Sequence, residues 1–211
     1  MTAHNVTALV EWVAALPGSE TLFNPYSLDD PGGAIRRANL ARYLEDMHRR
    51  QPRVLMVFEA PGYRGCRWSG IPVTSERIML RGIARWGLFG DGYRASSGQP
   101  EGVAEMTATI LWSALIEHAV EPPLIWNSVP LHPHQPGQPM SNRPPTLEEQ
   151  RMGAGLMGPV MEAFGCATVL AVGRTAQRVL AEQGIAAIPL RHPSQGGKPE
   201  FVRGLREALG E

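Results

Sequence analysis

The sequence lacks the residues on which metal clusters, disulfide frameworks and lysine chemistry depend. Its 211 residues include two cysteines, Cys66 and Cys166, too few for a zinc ribbon, an iron–sulfur cluster or a disulfide framework. We therefore expect a reduced, cytoplasmic protein without a metal or another cofactor. Lys198 is the only lysine, so covalent chemistry through a lysine Schiff base would depend on a single loop residue.

The sequence also lacks an excess of charge and a long apolar run. Lysine plus arginine and aspartate plus glutamate both total 20, so a nucleic-acid partner would have to be held by a local patch of charge. No stretch approaches the roughly 18 uncharged apolar residues of a membrane span. The first residues have helical spacing and carry Glu11 instead of a basic leader. These patterns predict a soluble protein with no signal peptide and no membrane partner.

What the sequence does have is a regular alternation of apolar patterns. A hydrophobic content of 43% suffices for one buried core, and we predict a single domain over residues 1–211. Four short apolar runs predict buried parallel strands over 54–58, 123–126, 167–172 and 186–190. Helical periodicity predicts helices over 75–86, 104–118, 147–164, 175–182 and 200–209. The alternation predicts an α/β fold of three layers, α/β/α, around a central four-stranded parallel sheet.

The loops that follow three of these strands are the candidate site segments, because open parallel sheets bind ligands beyond the carboxyl ends of their strands. They cover residues 59–74, 127–143 and 191–198. Each has an ordinary alternative explanation. Pro61-Gly62 is common in plain turns, Asn127 could close an Asx turn, and His192 could be a satisfied histidine beside a glycine-rich turn.

The middle loop contains a proline-rich stretch over 130–145 that we predict to be irregular. It ends where Thr146 and Glu149 form the pattern of a capping box, which predicts a helix start. His132 and His134 lie two residues apart and could bind a metal. Because no third ligand is near them in the sequence, packing within the loop is the better explanation.

The three loops carry Phe58-Glu59-Ala60-Pro61-Gly62, Asn127 with the later Asn142-Arg143-Pro144-Pro145-Thr146, and His192-Pro193-Ser194, in that order and each after a predicted strand. Together they resemble the uracil-DNA glycosylase superfamily over residues 53–198. The resemblance implies a water-site motif at 58–62, a uracil-recognising asparagine at 127 and a DNA-inserting loop that begins at His192. Residues 142–149 are similar to the branch that carries an iron–sulfur cluster, but two cysteines cannot hold one.

By this resemblance, His192 is the catalytic hydrogen-bond donor to uracil O2, and the base-binding residues are Ala60, Pro61, Gly62, Val73 and Asn127. Three of these positions depart from the family pattern. Ala60 replaces the Asp or Asn that handles water in the most active members, so Glu59 becomes the candidate catalytic substitute. Val73 replaces a stacking phenylalanine, and Gly62 replaces the tyrosine that excludes the thymine methyl group.

The resemblance also implies contacts to the DNA backbone, and the predicted DNA-binding residues are Ser75, Asn142, Arg143, Ser194, Gln195, Gly196, Gly197 and Lys198. A separate basic run over 36–53 has the spacing of a solvated helix face, with DNA contact as the alternative. The expected function is base excision repair of DNA damage by a monomeric, monofunctional glycosylase acting on uracil or another deaminated base. Two alternatives stay open, which are a non-catalytic DNA- or base-binding relative and a nucleoside or nucleotide N-glycosidase.

Overall fold

The computed structural model describes residues 4–210, with side chains from residue 6 onward. The helices are α1 (His4–Ala15), α2 (Gly33–Arg50), α3 (Cys66–Ser69), α4 (Glu76–Arg81), α5 (Met106–His118), α6 (Leu147–Ala154), α7 (Met157–Phe164), α8 (Arg174–Glu182) and α9 (Lys198–Leu209). The strands are β1 (Leu22–Phe23), β2 (Val54–Phe58), β3 (Leu124–Asn127), β4 (His132–Pro133), β5 (Thr168–Val172) and β6 (Ile188–Leu190).

The centre of the fold is a four-stranded sheet in the order β3-β2-β5-β6, in which all neighbours are parallel. Helices flank it, which gives the three-layer α/β/α arrangement and confirms the predicted fold class. The inner strands are apolar and almost fully buried, as expected for parallel strands covered on both faces. The carboxyl ends of β2, β3 and β6 therefore meet at one edge of the sheet, where the three candidate loops begin.

Three predicted elements differ from the structure. The helix predicted over 75–86 ends at Arg81, because Gly82 has a φ of 70° that a continuing helix cannot accommodate. The helix predicted over 147–164 is two helices, since glycines at 153 and 155 weaken it at the break. The proline-rich stretch is not wholly irregular, because β4 lies within it and pairs antiparallel with β1.

The basic run over 36–53 is a solvated face only in part, because Arg42, Arg49 and Arg53 are exposed whereas Arg36 and Arg37 are bonded to the protein. Arg36 is 2% exposed. Its guanidinium bonds Asp30, the Pro25 carbonyl oxygen at 2.5 Å and Ser96 Oγ at 3.0 Å. Arg37 donates to the carbonyl oxygens of residues 26 and 27. These arginines tie the segment before α2 to the helix, so they contribute to structure instead of forming a phosphate-binding surface.

Within residues 4–210, no helix has the length and apolar composition needed to cross a bilayer. Cys66 and Cys166 are both free and buried. Burial raises the pKa of the Cys66 thiol to about 12 and that of Cys166 to about 11. Neither thiol is therefore a reactive thiolate near neutral pH.

Candidate functional site

A cavity of about 320 Å³ lies at the carboxyl edge of the sheet, and residues from all three candidate loops line it. This volume is at the lower end of the roughly 300–1,000 Å³ of typical ligand pockets. The start of α5 supplies the remaining wall. The lining residues are Phe58, Glu59, Ala60, Pro61, Gly62, Gly65, Cys66, Val73, Glu105, Thr107, Pro133, Asn142, Arg143, His192, Ser194 and Gln195.

Asn127 ends β3 beside this cavity and has an unusual bonding state. It is 1% exposed, yet neither its Oδ1 nor its Nδ2 has a hydrogen-bond partner among the described residues. Asn127 pairs in register with Phe58 on β2, so the two side chains share one face of the sheet. Phe58 lines the cavity, whereas the Asn127 amide is closed off from solvent and is not part of the lining. The polar atoms of buried amides normally have hydrogen-bond partners. The Asn127 amide has none among the described residues, so it can bond a ligand that reaches past the wall of the cavity.

His192 lies two residues after the end of β6 and presents a neutral ring to the cavity. The backbone N–H of Ser194 donates to its Nδ1 at 3.2 Å, and Ser194 Oγ lies 2.7 Å from the same atom. Nδ1 is thus an acceptor, which assigns the proton to Nε2. Burial and the Arg191 cation lower the pKa of His192 below its usual value. The ring also packs edge-on against Phe58, with centroids 6.1 Å apart.

Glu59 follows β2 and lines the same cavity. Its Oε2 accepts a hydrogen bond from Thr175 Oγ1 in the first turn of α8. Gly173, which precedes α8, lies against His192, because a Cβ at Gly173 would be 3.4 Å from His192 Cβ. The start of α8 therefore contacts both predicted catalytic residues. The amino end of α8, which carries partial positive charge, also faces the negatively charged Glu59 carboxylate.

The other predicted base-binding residues, Ala60, Pro61, Gly62 and Val73, all line the cavity. A Cβ at Gly62 would meet no atom within 4 Å, so the cavity is open on that side. Val73 has a φ of 46°, which is rare for a β-branched residue. Trp112 Nε1 holds this backbone by donating to the Val73 carbonyl oxygen at 3.2 Å. Strain of this kind persists where surrounding bonds enforce it, often at functional sites.

Sequence reasoning missed Glu105, a second carboxylate in the cavity wall. Its side chain caps α5 by accepting from the backbone N–H groups of Thr107 at 2.8 Å and Ala108 at 2.6 Å. An acidic residue at a predicted helix start was the available signal, because carboxylates stabilise helix N-termini. Since both oxygens are bonded to α5, Glu105 is less free than Glu59 to act on a ligand.

The predicted DNA-binding residues divide into two groups. Asn142, Arg143, Ser194 and Gln195 line the cavity, and the structure does not bring Ser75, Gly196, Gly197 or Lys198 to it. Lys198 and Gly196 are exposed next to the lining residue Gln195. Gly197 is buried and has to be glycine, because a Cβ there would lie 2.2 Å from the His192 carbonyl oxygen.

Two of these predicted phosphate contacts are not accessible to a phosphate at the surface. Arg143 pairs with both oxygens of Glu149, at 2.6 and 2.8 Å. It also donates to the carbonyl oxygens of His134 and Thr21, so its donors are taken up. This pairing raises the pKa of Arg143. Ser75 is 1% exposed, which puts its hydroxyl out of reach of a surface phosphate.

His132 is fully buried and connects two loops at the cavity. Arg67 Nη1 lies 3.0 Å from its Nδ1, and its Nε2 donates to the Ser141 carbonyl oxygen at 2.8 Å and to Asn142 Oδ1 at 3.2 Å. Among the described residues, no group of three histidine, cysteine or acidic side chains could hold a metal ion. His132 therefore packs and positions the loop, as the sequence favoured.

Acid is expected to destabilise the protein through His132. Burial and the neighbouring Arg67 lower the pKa of His132 from 6.5 to about 4. Between these values the unfolded chain binds more protons, so stability is complete above pH 6.5 and falls as the pH drops to about 4. His132 is expected to lower the free energy of unfolding by roughly 3 kcal/mol over this pH range. Urea unfolding at pH 7 and pH 4.5 measures this change. In the His132→Gln protein, most of the difference in unfolding free energy between the two pH values should disappear. An unchanged pH dependence in that variant would assign the effect to other groups.

In comparisons with known proteins, no protein-family model and no curated protein matches the chain.

Proposed function

We propose that this protein is a DNA glycosylase that flips uracil, or another deaminated base, out of DNA and hydrolyses its N-glycosidic bond. The observation that carries the proposal is the Asn127 amide, which is buried beside the cavity with both polar atoms unpaired. A donor and an acceptor fixed side by side match the edge of uracil, in which O4 accepts and N3–H donates. Cytosine presents the reversed pattern and would leave both groups unpaired, at a cost of roughly 1–3 kcal/mol each.

His192 supports the chemical step. When the glycosidic bond breaks, negative charge collects on uracil O2, and a fixed donor near that atom lowers the barrier. The structure assigns the His192 proton to Nε2 through the Ser194 contacts, and the ring lines the cavity. The Nε2–H group of this neutral ring makes no hydrogen bond to the described residues, so it can donate to uracil O2. Because its pKa is lowered, it is neutral at pH 7 without further adjustment.

Glu59 supports the attack on the sugar. Ala60 has only a methyl group and cannot orient water, whereas Glu59 lines the cavity one residue earlier. Thr175 bonds one carboxylate oxygen and leaves the other with no partner among the described residues. A carboxylate held in this way can position a water molecule and stabilise positive charge on the sugar. We assign Glu59 this role, with Glu105 as the neighbouring carboxylate that remains in the helix cap.

We also propose the partner molecule, the oligomeric state and the cellular location of the protein. The partner is DNA that contains the damaged base, and entry of the base into the cavity requires that it leave the helical stack. Exposed Lys198 and Gly196 sit beside the cavity residue Gln195, where they can contact a phosphate. We further propose that the protein works as a monomer in the cytoplasm, consistent with two free, buried cysteines.

The experiment that tests the proposal is release of free base from an oligonucleotide that carries one uracil, single-stranded or opposite guanine. Alkaline cleavage at the abasic product reports the reaction. We expect cleavage of both substrates, and faster reaction where the base is already unpaired. Free deoxyuridine should react far more slowly.

Other outcomes of that experiment separate the alternatives. Reaction of deoxyuridine at the same rate as the oligonucleotide would indicate a nucleoside N-glycosidase. Binding of the oligonucleotide without release of uracil, or of hypoxanthine tested in the same position, would indicate a non-catalytic relative. The absence of both binding and release would refute the proposal.

A further inference from the structure

A second cavity of about 560 Å³ lies beside the first and shares Gly62, Glu105 and Asn142 with it. Its remaining walls come from the first loop and the start of α5, through Tyr63, Arg64, Ala104, Met106 and Thr109. The shared residues place the two cavities side by side, next to the first loop and the start of α5. The proposed reaction leaves this second cavity without a role.

Three side chains of the second cavity make no hydrogen bond, ion pair or ring contact with the described part of the chain. They are the Tyr63 phenol, the exposed Arg64 guanidinium and the Met106 side chain, which is 77% exposed. Arg36 and Arg143, by contrast, use their guanidinium groups to bond the protein itself. An aromatic ring, an apolar chain and a cation that are all uncommitted around one cavity form a typical contact surface for a nucleotide.

The backbone behind these side chains is fixed. Asn142 Oδ1 accepts from the Tyr63 backbone N–H at 2.9 Å and also from His132. Met106 is the first residue of α5, directly after the helix cap formed by Glu105. The side chains therefore project from anchored positions, so contact with a ligand requires little ordering of the backbone.

We propose that the second cavity binds the nucleotide next to the flipped one in the same strand. Its base packs on the Tyr63 ring and the Met106 side chain, and its phosphate lies near Arg64. Aromatic stacking and a flexible thioether accept any base, so these contacts give affinity without sequence preference. The inference rests on the proposed function, because it places the flipped base in the first cavity. It defines the substrate as an oligonucleotide with an intact neighbouring base.

Single-stranded oligonucleotides with one uracil test this inference, with the 5′ or the 3′ neighbour replaced by a tetrahydrofuran spacer that has no base. For the wild type, one of the two spacers should lower kcat/KM about tenfold, as expected for the loss of one stacked base. The Tyr63→Ala/Met106→Ala protein should be slower by a similar factor on the intact strand and should lose its sensitivity to that spacer. The Tyr63→Phe protein should retain its sensitivity to that spacer. Met140→Ala, which removes an exposed methionine outside both cavities, should behave as wild type.

The inference is overturned if neither spacer affects the wild type, or if the double variant remains as sensitive to the spacer as the wild type. Thermal unfolding of each variant checks that the fold is retained. If the wild type releases no uracil from any strand, the proposed function fails, and fluorescence anisotropy with the same oligonucleotides then decides the binding role. Weaker binding caused by one spacer, and abolished in the double variant, supports the second cavity as a nucleotide site. Equal binding of all the strands refutes it.

Discussion

Replacing Asn127 by leucine is expected to stabilise the free protein and to slow base release. The buried amide has two polar atoms without partners, and each such group costs about 1–3 kcal/mol when it leaves water. An apolar side chain of similar size removes that cost, so we expect the free energy of unfolding to rise by about 1–3 kcal/mol. The same change leaves uracil O4 and N3–H unpaired in the complex, which should lower kcat/KM roughly 100-fold or more. Urea unfolding and oligonucleotide cleavage measure the two effects.

Asn39 provides a matched control for this prediction. It is equally buried, at 2% exposed, but its Nδ2 donates to the carbonyl oxygens of Ser69 at 2.9 Å and Arg94 at 2.8 Å, and its Oδ1 accepts from the Arg94 N–H. Asn39→Leu should therefore destabilise the protein, by about 1–3 kcal/mol for the partners left unpaired. Equal destabilisation by both leucine variants would mean that the Asn127 amide is bonded in the free protein, and its role as a ligand-binding group would be lost.

Replacing His192 by alanine is expected to cause the largest loss of activity. A single donor to a developing oxyanion is typically worth about 2.7–4 kcal/mol, or about 10²–10³ in kcat. Because the charge on O2 develops mainly as the bond breaks, KM should change little. Single-turnover release of uracil separates the chemical step from binding. Equal reductions in kcat for His192→Ala and for a control histidine would remove His192 from the mechanism.

His48 is a suitable control histidine, since it is also partly buried and contacts an aromatic ring, Phe164. It lines a different cavity, together with Gln51 and Arg53, near the amino ends of β2 and β5. His48→Ala should keep nearly full activity. A selective increase in KM for His192→Ala would instead indicate that the ring binds the base without contributing to bond cleavage.

The inner strands could be predicted from the sequence because fully buried parallel strands are short, apolar and bounded by turns, whereas the short pair β1 and β4 was not predicted and β6 begins two residues later than predicted. β2 was predicted at the residues where it occurs, and β3 and β5 within one residue at each end. Placing the site loops then followed from the rule that parallel strands bind ligands at their carboxyl ends. Helix ends were less predictable, since Gly82 ends α4 through its positive φ, which periodicity does not report.

The capping box of Thr146 and Glu149 was predicted from the sequence and is confirmed, but most other side-chain bonding could not be predicted. Arg36 belongs to a run that is typical of an exposed helix face, but the segment around Asp30 covers it. Arg143 has the residue type of a phosphate contact, but Glu149 pairs with it. The absence of partners for the Asn127 amide depends on how β3 packs against its neighbours. Such states depend on how loops fold back onto the neighbouring helices, which residue types and spacing do not report, and for this reason the motifs predicted positions better than roles.

The register of β2 with β3 has a consequence for the kinetics of recognition. Asn127 lies opposite Phe58 through backbone hydrogen bonds of the sheet, and His192 follows β6 in the same sheet while packing on the Phe58 ring. The pairing of β2 with β3 thus sets the position of the Asn127 amide relative to the Phe58 ring on which His192 packs. The Asn127 amide is closed off from solvent in the free protein, so a base can pair with it only after the cavity wall has opened. The rate of productive binding should consequently depend on two openings, that of the wall and that of the base pair in the DNA.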